Sequence, residues 1–145
     1  MNFMRSFSPV GLLVLRFVVG LIFLVHGYPK LVHPTPAMHD FFVSHGLPGY
    51  FVNISAILEC FGSVLFFAGL FTRPAALLLA GEMAIAIWKV HSAHGIMAVK
   101  DYEFPLTLAA ACFVLATVGP GQISGDHLCF GENVRKRRVA KSSED

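Results

Sequence analysis

Charge is scarce in this chain. Asp, Glu, Lys and Arg together make up 14% of its 145 residues, whereas hydrophobic types make up 55% and the mean hydropathy is +0.66. A soluble domain of this size cannot cover itself with so few charges, so the lipid bilayer is the expected solvent. Cysteine is scarce too. Cys60, Cys112 and Cys129 are scattered and form no CxxC pair, so neither a dithiol centre nor a structural zinc site is signalled, and each reads as a small hydrophobe. No GxGxxG loop, haem-attachment motif or cluster ligand set is present. No covalent cofactor is therefore expected, and electrons for any redox chemistry must come from a partner protein, not yet identified.

What the chain has instead is long apolar runs. Four segments reach the roughly 20 residues that a spanning helix needs: Pro9 to Tyr28, Tyr50 to Phe71, Arg73 to His91, and Tyr102 to Pro120. Between them they use most of the sequence, which leaves no room for a soluble catalytic domain. Arg16 interrupts the first run and no small-residue cleavage site follows, so an uncleaved helix is expected rather than a signal peptide. The prediction is all-α: a single integral membrane domain over residues 1–130, built as a four-helix up-down bundle with short connections. In the first outer loop, Thr35 and Pro36 make a helix start, while Met38, Phe41 and Phe42 share a face. A short helix lying in the interface is expected there.

Orientation follows from Lys and Arg, which are in excess on cytoplasmic flanks. Arg5, Arg73 and the basic residues of "RKRRVAK" (Arg135 to Lys141) would share a side, against Lys30, Lys89 and Lys100 on the other. Both termini are therefore predicted to be cytoplasmic. The segment 131–145 is polar, basic and aperiodic, and is predicted to be a disordered tail. Such a tail fixes topology and leans on anionic lipid headgroups, so nucleic acid is not an expected partner.

The few charges inside the spans carry the functional argument. At ~1.5 Å per residue, Arg16 lies about 11 Å in from one end of its helix, Glu82 about 12 Å in from the same side, and Glu59 about 14 Å in from the other. In a hydrocarbon core of about 30 Å these depths nearly coincide, so Arg16 is expected to be held by Glu59, Glu82 or both. Helical spacing agrees: Arg16, Gly20, Phe23 and Gly27 form one stripe, Glu59, Gly62 and Phe66 a second, and Glu82, Ala86 and Lys89 a third. Charges in a span face the bundle interior or a wet cavity and suggest function by default. One Arg against two Glu leaves a net negative charge, to be offset by Lys89, a cation, or a proton held by one glutamate. The bland alternative is a structural ion pair that fixes helix register. Arg16, Glu59, Glu82 and Lys89 are the candidate ligand-binding or proton-carrying residues.

A second polar layer, His26, Lys30, His91, Tyr102 and Glu103, is expected at the outer face. All histidines except His127 fall on that side. Their spacing makes no specific metal motif, and amphipathic side chains commonly sit at the interface; no metal ligand is assigned.

The stretches "LRFVVGLIFLVHGYPKL", "HGLP", "ECFGSVLFFAGLFTRPAA" and "DYEFPLTLAAACFVLATVGPGQISGD" together resemble the DoxX family of small four-helix bacterial membrane proteins. Asp101 and Gly125 depart from the family's pattern, which has Gly before Tyr-Glu and Leu within its Ser-x-Asp. The resemblance matches the family's polar positions to Arg16, His26, Lys30, Glu59, Arg73, Tyr102, Glu103 and Asp126. It implies a multi-pass protein of the bacterial cytoplasmic membrane, similar to the small membrane subunit of thiosulfate:quinone oxidoreductase. Three functions are compatible with these residues. The first is a small subunit of a membrane redox system that binds quinone or another small substrate at the buried charges. The second is a proton-coupled carrier, which with four helices would have to form a homo-oligomer. The third is a structural or assembly subunit. An enzyme acting alone is not expected.

Overall fold

A computed structural model describes the backbone of residues 2–91 and 99–129, and side chains within 8–90 and 99–129. The described residues are helical and contain no strand. Helix α1 runs Asn2–Val32, the short α2 Pro36–Ser44, α3 Phe51–Ala68, α4 Thr72–Ala86 and α5 Val99–Val118; α4 continues directly into a π-helical turn, Ile87–His91. The predicted tail, 131–145, lies outside the described residues.

Among the described residues, three stretches are long and apolar enough to cross a membrane: Ser8–Val32 within α1 (25 residues), α3 (18 residues) and α5 (20 residues). Helix α4, at 15 residues, is shorter. Helix α1 packs along α3 and α4 along α5, while contacts between α3 and α4 and between α1 and α5 close the bundle. Its core contains Val19, Phe23, Phe66, Leu79, Cys112 and Leu115, all almost wholly enclosed. Outward side chains such as Phe61, Leu78 and Phe113 are apolar and exposed. An apolar face with no protein cover fits a lipid surround rather than water.

Glycine sets the α1–α3 distance. A Cβ at Gly27 would lie 2.7 Å from Glu59 Cβ, and one at Gly20 would lie 3.1 Å from the ring of Phe67. The first span was expected to end at Tyr28, but α1 continues through Gly27 and Pro29 to Val32. Proline forfeits one backbone hydrogen bond, which a membrane helix can tolerate where neighbours compensate. Gly27 serves close packing and does not act as a breaker. At the other terminus α1 starts at Asn2, with Pro9 inside it rather than in its first turn. Helix α5 likewise begins by Val99, earlier than expected, and buries Pro105 within it.

The α3–α4 turn is closed by a residue far away in sequence. Gly69 ends α3 with φ 65°, and Phe71 precedes α4 at φ 48°, a left-handed conformation rare for a bulky residue. Asp126, beyond α5, holds this turn. Its Oδ1 accepts from Phe71 N–H at 2.8 Å, its Oδ2 accepts from Thr72 N–H at 3.1 Å, and its own N–H donates to the Gly69 carbonyl at 2.8 Å. A carboxylate there caps the otherwise unpaired amides of α4 and complements its dipole. Asp126→Ala is expected to lower stability by about 1–2 kcal/mol, the usual value of a cap, with Asp126→Asn retaining part of it. Unfolding of the solubilised variants in denaturing detergent measures this; equal midpoints for all three proteins would remove the cap from the explanation.

Candidate functional site

The buried charges sort into two groups, one along the first half of α3 and one at its C-terminal end, and the pairing expected for Arg16 is wrong. Arg16 is 2% exposed. Its guanidinium donates to the carbonyls of Pro120 at 2.8 Å and Ile123 at 3.1 Å. It lies against Gly69, where an added Cβ would be 2.9 Å from Arg16 Cζ, and Asp126 attracts it electrostatically. The reason is register. Gly27 faces Glu59 and Gly20 faces Phe66, so Arg16 falls level with the end of α3. Gly27 and Arg16 are 11 residues apart, about 16 Å along the helix, too far for a side chain to span. The depth estimate failed because α1 is much longer than α3 and overhangs it. Arg16 ties the segment following α5 to α1, satisfying carbonyls that no helix partner reaches.

Glu59 is instead paired with Lys30. Lys30 Nζ donates to Glu59 Oε2 at 2.8 Å and to Ser55 Oγ at 3.1 Å. Ser55 Oγ in turn donates to Glu82 Oε1 at 2.5 Å. Four residues from three helices thus form one hydrogen-bonded chain, with Lys30 from α1, Ser55 and Glu59 from α3, and Glu82 from α4. The Glu59 side chain is 4% exposed and that of Lys30 22%. Ser55 and Glu59 are one helical turn apart, which puts both on the same face. That spacing was readable in the sequence, but Ser55 carries no charge to draw attention to it. Two atoms of the cluster keep unused bonding capacity. Among the described residues, Lys30 Nζ uses two of its three donors, and Glu82 Oε2 is buried with no hydrogen-bond partner.

The cluster borders a cavity of about 930 Å³ between α1, α2, α3 and α4. Its lining is mostly apolar, with polar groups from Lys30, Ser55, Glu59, Glu82, His26 and His45. Helix α2 contributes Ala37, Met38, Phe41 and Phe42. Gly81 also borders the space, and a Cβ added there would meet nothing within 4 Å.

The other predicted residues lie elsewhere. Lys89 sits on the π-helical turn with its ammonium 4.9 Å from the Trp88 ring centroid and does not line the cavity. A π turn takes more residues per revolution than an α-helix, so positions past Ala86 rotate off the expected stripe. Val90 takes the place at the cavity that Lys89 was expected to hold, and Lys30 stands where Arg16 was expected, as the one cation among the described residues beside the two glutamates. His26 borders the cavity, its Nδ1–H donating to the Ile22 carbonyl at 2.8 Å and its ring 5.7 Å from that of Phe104. Tyr102 is half-buried and Glu103 exposed, both outside the cavity lining. The side chain of His91, and all of His94, lie outside the described residues. Arg73 donates to the Val118 carbonyl at 3.4 Å, at the Arg16 end.

Membrane-length apolar helices enclosing a charged cluster define a multi-pass integral membrane protein of the all-α class. The chain belongs to the DoxX family, whose model matches residues 11–92. It is 28% identical over 127 residues to "Inner membrane protein YqjF" of Escherichia coli (strain K12), covering 86% of this chain and 96% of that protein. It is 35% identical over 106 residues to the Bacillus subtilis (strain 168) protein named "Putative oxidoreductase CatD", covering 73% and 78%. "Inner membrane protein YphA" of Escherichia coli (strain K12) is 30% identical over 139 residues, covering 87% and 99%. No solved structure matches significantly. The chain is accordingly a multi-pass protein of the bacterial cytoplasmic (inner) membrane.

Proposed function

We propose that this protein is a small ligand-binding subunit of a membrane redox system, and that its cavity receives the head group of a quinone. The observation that carries this reading is the pairing of a spare ammonium donor on Lys30 with an unpartnered carboxylate oxygen on Glu82, both at a largely apolar cavity. Sites of this kind orient a mostly apolar ligand through a few placed polar groups. A quinone carbonyl accepts from Lys30, and a hydroquinone hydroxyl donates to Glu82 Oε2. The same two groups therefore recognise both redox states. The chain has no cofactor-binding fingerprint of its own, so a partner protein delivers or removes the electrons. The printed name of the Bacillus subtilis relative fits this assignment to redox chemistry. In this reading Arg16 belongs to the scaffold. The 15 residues of α4 with the 5 of its π-helical turn reach the length of a fourth span, and the excess of Lys and Arg on one set of flanks supports cytoplasmic termini.

The test is an anaerobic titration of the protein in nanodiscs with the reduced form of dimethoxy-methyl-benzoquinone, the tail-free head of ubiquinone. Glu82→Gln replaces the carboxyl oxygen that accepts from the hydroquinone hydroxyl, and a hydrogen bond of this kind is worth about 1 kcal/mol or more, so affinity should fall several-fold or more. Equal affinity in the variant, or no binding to the native protein, would overturn the assignment.

A further inference from the structure

The cavity extends well beyond its polar groups, and its extension is apolar. Along α4 it runs from Val90 past Glu82 to Leu78 and Leu77. Leu78 is four residues beyond Glu82, about 6 Å further from α2. On α3 it passes Ser55 to reach Leu58 and Glu59. At 930 Å³ the space stands near the top of the roughly 300–1,000 Å³ that ligand pockets occupy. A single-ring head hydrogen-bonded to Lys30 and Glu82 leaves most of it unfilled. Meanwhile Ile54, Leu77, Leu78 and Ile85 line the cavity and are each 42–59% exposed. In a bilayer, exposure at these apolar positions is exposure to lipid. Helix α2 covers the end towards the α1–α3 connection with Met38, Phe41 and Phe42.

We infer that the ligand is a single-chain amphiphile that reaches the site sideways from the lipid, its oxygen-bearing head at Lys30 and Glu82 and its apolar chain running past Leu77 and Leu78. This rests on the reading of the head-group site given above and names the class of molecule that site takes. The arrangement has a physical consequence for selection. A hydrocarbon chain gains little by moving from lipid into an apolar cavity, because both are equally dry. The chain therefore acts by concentrating the ligand in the bilayer and by fitting the path beside Leu78. The polar cluster still supplies the hydrogen bonds that retain it. Water-soluble head groups compete poorly because the open flank presents no polar surface.

The experiment compares two probes with the same head, reduced dimethoxy-methyl-benzoquinone without a chain and reduced decylubiquinone, each titrated into nanodiscs. Leu78→Trp narrows the chain path at a lipid-exposed position that the fold does not depend on. Phe113→Trp, an exposed position on α5 outside the cavity, is the control. Leu78→Trp should weaken the decyl probe at least fivefold and change the tail-free probe less than twofold, while Phe113→Trp changes neither. If Leu78→Trp weakens both probes equally, or neither, the chain path is refuted while the head-group site stands. If neither probe binds the native protein, both readings fall.

Discussion

Lys30→Ala is expected to destabilise the folded protein by about 3–5 kcal/mol, the range found when one partner of a buried ion pair is removed. The magnitude comes from what is left behind. At an effective dielectric constant of about 20, charges 4 Å apart attract by about 4 kcal/mol, but removing both from water offsets much of that. The pair itself therefore contributes little net stability. Without Lys30, however, Glu59 remains between α1 and α3 with its side chain 4% exposed and no cation, and Ser55 Oγ loses the donor that it accepts from. The double variant Lys30→Met with Glu59→Gln should recover most of the loss, because uncharged groups of similar shape make no such demand. Unfolding of the solubilised proteins in denaturing detergent measures both. A Lys30→Ala protein within about 1 kcal/mol of the native one would show that Glu59 is not held as the geometry indicates.

Gly81→Leu should do the opposite. It should abolish ligand binding, by more than tenfold, with stability unchanged or raised. A Cβ at Gly81 meets nothing within 4 Å, so a leucine enters the cavity without forcing the backbone to move. Replacing a mid-helix glycine by leucine also removes a helix-propensity penalty of up to about 1 kcal/mol. The added side chain takes space immediately next to Glu82, where the head group is proposed to bind. Lys30→Ala should weaken both the fold and the ligand, whereas Gly81→Leu should separate them. That contrast distinguishes a binding cavity from a packing defect. If Gly81→Leu kept full affinity, the ligand would have to bind somewhere else.

Much of the helical layout was legible because it depends on long apolar runs and their punctuation. The stripes Arg16–Gly20–Phe23–Gly27 and Glu59–Gly62–Phe66 are buried in the structure as their spacing implied. Which charges meet was not legible, because pairing depends on the register between helices. That register is set by Gly27 against Glu59, a contact 32 positions apart that no local pattern encodes. An error of two to three turns was enough to send Arg16 to the wrong carboxylate and to leave Lys30 in a separate outer layer. The π-helical turn after Ala86 displaced Lys89 for a related reason, since a 3.6-residue period cannot anticipate a local change of pitch. Asp126 was named only through family resemblance. Its capping of α4 requires the chain beyond α5 to fold back onto the α3–α4 turn, and the sequence of that segment does not show it.

The most direct measurement is a native mass spectrum of the gently solubilised protein from its own membranes, beside the Gly81→Leu variant prepared identically. The expected result is an amphiphile-sized adduct on the native protein that the variant, equally folded, has lost. A native protein that flies bare, or an adduct retained equally by both, would contradict the assignment of the Lys30–Ser55–Glu59–Glu82 cavity as the ligand site.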